Sequence, residues 1–147
     1  MPRASASSSP VPTTPVRLTG WGRIAPTRAD LAAPASDAEA AALLRYLAGP
    51  PAGKAGPAIP RGLGRSYNNA AQSAGGVVIS TSRLDNIISL DPDTGIVVAE
   101  AGVSLEQLMV AGLPHGWFVP VSPGTRQVTV GGAIAADVHG KDRKAHV

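Results

Sequence analysis

Two glycine-bearing stretches hold the residue types that could do chemistry. The first is Arg61-Gly-Leu-Gly-Arg-Ser66. Closely spaced glycines let a backbone approach a ligand and turn several amides toward one point, an arrangement that cradles phosphate oxygens. Arg61 and Arg65 would bracket such a nest with positive charge, and Ser66 would add a hydroxyl donor. The second is Pro123-Gly-Thr-Arg-Gln-Val-Thr-Val-Gly-Gly-Ala-Ile-Ala-Ala-Asp-Val-His-Gly140. Small residues dominate 131–136, so a flat or extended group could lie close to the backbone. Amides at a helix start near 129–132 could face the same anion from the opposite side. Each stretch alone has a plainer reading, the first as a tight turn with two exposed arginines, the second as a helix packed closely through Ala and Gly. The first does not fit the better-known phosphate motifs, lacking both the Gly-Lys-Ser/Thr of a P-loop and the third glycine and following helix of a dinucleotide fingerprint. Together they could clamp a diphosphate.

Local sequence signals supply the elements that would position these stretches. Ser36-Asp-Ala-Glu39 has the form of a capping box, with Ser36 accepting from the Glu39 amide and the Glu39 carboxylate reaching back to the Ser36 amide. Leu43, Leu44 and Leu47 then share one face of a helix that Gly49 stops. The β-branched run 77–81 reads as a strand. Runs 87–90 and 96–100 flank Asp91-Pro-Asp-Thr-Gly95 and read as a hairpin with a Gly-closed turn. Ser104-Leu-Glu-Gln107 is a second capping box, opening a helix to about Leu113. Strands and helices mix without a regular βαβ repeat, so the expected class is α+β.

Composition narrows the function. Apolar residues make up 44% of the 147 but aromatics only 3%, so the core must be built from Ala, Val, Leu and Ile. The net charge of +3 is spread along the chain, without the basic stripe of a nucleic-acid binder. One cluster, Lys141, Arg143 and Lys144, reads as a solvated terminus. Without cysteine there is no disulfide framework, thiolate nucleophile or thiolate metal site. His115, His139 and His146 lack the spacing of zinc ligands. Residues 1–16, rich in Ser, Thr and Pro and without the apolar core of a signal peptide, read as a disordered tail. The folded part is expected from Arg17, with Leu18, Trp21 and Ile24 as early anchors.

The quoted motifs resemble the FAD-binding domain of the vanillyl-alcohol oxidase (PCMH) type. The likeness runs in one colinear stretch through Leu18-Thr-Gly-Trp-Gly-Arg23, Arg61-Gly-Leu-Gly-Arg-Ser-Tyr67, Ala101-Gly-Val-Ser-Leu-Glu-Gln-Leu-Met109, the stretch from Pro123 and Asp137-Val-His-Gly-Lys141. It is nearest the branch that oxidises a polyprenyl-phosphoryl sugar. The resemblance implies that residues 17–147 are the N-terminal portion of such a domain, stopping before it is complete and without the substrate domain.

It also implies site residues. The first loop would wrap the FAD pyrophosphate through Pro60, Arg61, Gly62, Leu63, Gly64, Arg65, Ser66, Tyr67, Asn68, Asn69 and Ala70. The second segment would contact FAD through Pro123, Gly124, Thr125, Thr129, Val130, Gly131, Gly132, Ala136, Asp137, Val138, His139 and Gly140. His139 would sit near the isoalloxazine as the candidate catalytic residue, and Asp137 would anchor hydrogen bonds. Many relatives bond the flavin covalently through a histidine where this chain has Arg65, which implies non-covalent FAD. The implied reaction is hydride transfer from the 2′ carbon of a polyprenyl-phosphoryl ribose to the flavin, giving a ketone for cell-wall arabinan precursors. A partner reductase would complete the epimerisation. The alternatives are a fragment of a related sugar-lactone or alditol oxidase and a catalytically inactive FAD-binding remnant.

Overall fold

The computed structural model of the chain describes residues 9–49 and 57–139. Gly140 and the Lys141–Lys144 cluster lie outside the described residues, as do residues 1–8 of the expected tail.

A four-stranded sheet is built in the order β1 (Thr13–Leu18), β2 (Thr27–Ala32), β4 (Val77–Ser80), β3 (Ala58–Arg61). β1 pairs antiparallel with β2, whereas β2 and β3 both run parallel to β4 between them. β4 is buried along its whole length, which explains why it reads as an unbroken apolar run rather than an alternating one. Helix α1 (Asp37–Ala48) crosses over between β2 and β3. Its Leu43 meets Val11, Ala32, Val77 and Ile79 in the core, with Leu47 packed alongside. The mixture of helices with parallel and antiparallel strands bears out the α+β class.

A second unit is the antiparallel hairpin β5 (Ile87–Leu90) and β6 (Val97–Ala99), as the turn residues predict. Asp91 organises the turn by accepting from the amides of Asp93 (2.9 Å) and Thr94 (3.2 Å), and Gly95 closes it at φ +72°. Trp117 lies on Gly95 and donates its indole N–H to the Pro92 carbonyl at 2.8 Å. Helices α2 (Leu105–Gly112) and α3 (Val130–Ala135) complete the described fold. Among the described residues, no helix is long and apolar enough to cross a membrane.

Three sequence expectations are corrected. The tail does not reach residue 16, because Thr13–Leu18 pairs along its full length with β2 and Val11 is buried in the core. Pro15 is tolerated there because β1 is an edge strand and a missing N–H costs no ladder bond on its open side. Trp21 and Ile24 are not core anchors, being 56% and 65% exposed. At α1, Ser36 does accept from the Glu39 amide (3.2 Å), but the Glu39 carboxylate takes the Ala35 amide (2.8 Å) instead of that of Ser36. The box at Ser104 is complete, with Gln107 closing it in both directions.

Candidate functional site

The two glycine-bearing stretches meet. The first leaves the end of β3, and Gly62 lies against the Thr129 side chain so closely that a methyl group there would overlap it. Thr129 is 1% exposed and caps α3, accepting from the Gly132 amide at 3.0 Å. The two segments therefore touch, with Gly62 and Thr129 as their seam.

Along the first loop, none of the backbone amides of residues 62–69 donates to a protein acceptor among the described residues. Ala70, by contrast, has its amide taken by the Asn68 side chain at 3.0 Å. Gly64 is the buried residue of the loop, at φ +67°, a conformation that side chains resist. Tyr67, Asn68, Asn69 and Ala70 are exposed. A run of unengaged amides beside solvent, on a turn that glycine allows, suits the oxygens of a diphosphate. On that observation the residues present fit the phosphate portion of a dinucleotide cofactor.

The arginines do something other than bracket the nest. Arg61 donates to the carbonyls of Thr19 (2.7 Å) and Ala71 (3.0 Å), and partial burial lowers its pKa from the usual value. Arg65 donates to the Leu63 carbonyl at 2.9 Å and stacks over Trp21, its guanidinium carbon 4.8 Å from the ring centre. The turn that carries Trp21 was visible in the sequence only through resemblance, yet it belongs to the site. The Trp21 amide donates to the Ser66 carbonyl at 2.7 Å, and Gly20 and Gly22 let the turn lie flat on the backbone of residues 66–68. Gly-Trp-Gly was the signal that could have found it.

The second stretch also departs from expectation. The first amides of α3 do not face an anion: Val130 donates to the Val103 carbonyl (2.8 Å), Gly131 to that of Ala101 (2.9 Å) and Gly132 to Thr129 Oγ1. The helix start is docked on the strand-like edge before α2, and its glycines permit that approach. Upstream, Glu106 of α2 holds the loop at 123–128. Its carboxylate accepts from Arg126 Nε (2.7 Å) and from the Gln127 side chain, and these bonds hold its pKa below the usual carboxylate range. Pro123, Gly124 and Thr125 project beyond that tie, Gly124 into open space. After α3, Asp137 turns the chain at φ +47°, and its carbonyl lies 2.7 Å from Nδ1 of the exposed His139. Asp137 thus anchors a hydrogen bond, through its backbone. Ala136 and Val138 donate their amides back into α3. A separate open concavity of about 460 Å³ on the β1–β2 edge, lined by Arg17, Arg28 and Asp30 among others, includes none of these residues.

The fold is that of a flavin-binding domain. The FAD binding domain family matches residues 29–146, and the chain belongs to that family. Its sequence is 52% identical over 136 residues to decaprenylphosphoryl-beta-D-ribose oxidase of Mycolicibacterium smegmatis, covering 92% of this chain and 29% of that protein. It is 32% identical over 108 residues to D-lactate dehydrogenase of Archaeoglobus fulgidus, covering 73% and 23%. Among solved structures, cholesterol oxidase from B. sterolicum superposes with a TM-score of 0.74 at 17% identity, over 95% of this chain and 27% of that one. The chain therefore spans less than a third of the length of these relatives. The vanillyl-alcohol oxidase-type flavin domain implied by the motifs is borne out, and with it FAD as the cofactor.

Proposed function

We propose that this chain supplies the pyrophosphate-holding face for FAD in an oxidoreductase that converts the 2′-hydroxyl of a decaprenylphosphoryl ribose to a ketone. The observation that carries the reading is the run of unengaged amides at 62–69, seamed to the Thr129 segment. The choice of substrate rests on the 52% identity to the mycobacterial oxidase.

FAD supplies the hydride acceptor when bound. The chain's own residues bind and orient it. The amides of Gly62, Leu63, Gly64, Arg65, Ser66 and Tyr67 receive the diphosphate, while Pro60, Asn68, Asn69 and Ala70 shape the two ends of the loop. Pro123, Gly124 and Thr125, on the loop that Glu106 holds, would contact the cofactor from the second segment. The exposed small residues Gly132 and Ala136 would let a flat group approach α3, whereas Gly131 is given over to the contact with Ala101. His139 would face the substrate when flavin is bound: with the Nδ1 proton donated to the Asp137 carbonyl, Nε2 would be free to accept a proton from a sugar hydroxyl. FAD is held non-covalently, because Arg65 carries no nucleophile able to attack the ring and its guanidinium is engaged with Leu63 and Trp21. A partner reductase that returns the ketone to the epimeric alcohol completes the sequence of reactions, and nucleic acid has no part in it.

The test is a titration of the purified chain with FAD, following quenching of flavin fluorescence. We expect saturable binding at one site, with all flavin released into the supernatant on acid precipitation. Absence of saturable binding would sink the reading, and flavin retained in the acid pellet would sink its non-covalent part.

A further inference from the structure

Arg61 opens the amide-lined loop, yet its side chain is directed away from the role its charge suggests. Its two terminal nitrogens reach carbonyls from different parts of the chain, Ala71 where the loop ends and Thr19 in the turn that lies over it. The same residue's carbonyl receives the Thr81 amide at 3.0 Å, fixing the start of the loop to the end of β4. Between these points the guanidinium lies against Gly64, where any methyl group would overlap it. One residue thus ties the beginning of the loop, its end and its cover.

We propose that Arg61 is a positioning residue for the FAD site, acting through the carbonyls of Thr19 and Ala71 to hold the amides of residues 62–69 open, and not by contact with the diphosphate. The inference rests on the FAD reading above. Its physical basis is the fork of donors: an arginine can hold two carbonyls at once, whereas a lysine gathers its donors at a single point and cannot span them in the same way. Partial burial lowers the Arg61 pKa, and the desolvated cation depends on these carbonyls for its hydrogen bonds. The unengaged amides would otherwise be free to turn toward neighbouring carbonyls or collapse onto them.

The decisive variant is R61K, which keeps the charge and removes the fork. Measured on the full chain without FAD, amide hydrogen exchange at residues 62–69, fast in the parent because these amides are unengaged, should slow by about tenfold or more as they find carbonyl partners, with β4 unchanged. FAD affinity should fall by a similar factor, and by the same factor at low and high salt, because the loss lies in loop shape and not in charge. R61K that binds FAD as the parent does, or that leaves exchange in the loop unchanged, would overturn the proposal. If the parent chain fails to bind FAD, the exchange comparison still decides the positioning role while the FAD reading falls separately. Should R61K not fold, nitrogen-15 spectra of the parent's arginine side chains decide instead. Slowed Arg61 guanidinium protons without FAD, unmoved on adding it, are expected, and a shift as large as that of the loop amides would overturn the proposal.

Discussion

The two glycine-bearing stretches look alike on paper and behave oppositely in the fold. In the loop at 62–69, glycine leaves a row of amides without protein acceptors, and the arginines serve the backbone beneath them. At the start of α3, glycine lets the helix press onto Ala101 and Val103, and the first three amides are all taken. A helix N-terminus attracts an anion only while its donors are free. The lesson is that glycine density marks close approach of a backbone to something. Whether that partner is a ligand or another part of the chain depends on where the hydrogen bonds go.

The largest effect should come from G62A, which strikes the seam that joins the two regions. The new methyl would overlap a Thr129 side chain that is 1% exposed and already bonded to Gly132, so it has nowhere to move. Overpacking of this kind costs about 1–3 kcal/mol. Urea unfolding should show that loss together with weakened FAD binding. A variant as stable as the parent would mean that the seam is not packed as described.

A smaller effect separates the regions themselves. Alanine at Gly64 must adopt φ +67°, a left-handed conformation costing roughly 1–2 kcal/mol, besides meeting Arg61. Alanine at Gly131 sits in an ordinary helix, with the Ala101 methyl and carbonyl at 3.1 Å, tight but not overlapping. There the gain in helix propensity, up to about 1 kcal/mol, offsets the squeeze. Denaturation midpoints should therefore fall clearly for G64A and stay close to the parent for G131A. The reverse order would break the comparison.

What could be read in the sequence divides along the same line. Both capped helices and the hairpin were legible, because Ser36, Ser104, Gln107 and the turn from Asp91 to Gly95 act on neighbours a few residues away. Strand β1 was not, since Thr13–Leu18 looks like a tail until it meets β2, and the insertion of β4 between β2 and β3 is a long-range event. The site was legible as a pair of segments and illegible as chemistry. The acceptors that capture Arg61 and the α3 amides are backbone carbonyls of Thr19, Ala71, Ala101 and Val103, which any residue could have supplied. Trp21 misled for a related reason: it resembles a core anchor, but its ring lies exposed under Arg65.

The smallest predicted effect concerns the tie between α2 and the loop at 123–128. Glu106 has its carboxyl held low, first by the hydrogen bond from Arg126 and then by that from Gln127. A carboxylate whose folded pKa lies below its unfolded one contributes stability above the unfolded pKa and loses it as the pH falls through the folded pKa. Asp91 is depressed as well, chiefly by Thr94, so the parent's acid limb has at least two sources. The difference between parent and E106Q cancels the Asp91 part. That difference in melting temperature should be small and positive near neutrality, because the pair is exposed and screened. It should shrink toward zero as the solution is acidified, and at neutral pH it should also shrink with added salt. A difference that persists in acid would mean that Glu106 holds the loop through hydrogen bonds that the amide cannot reproduce, and not by its charge.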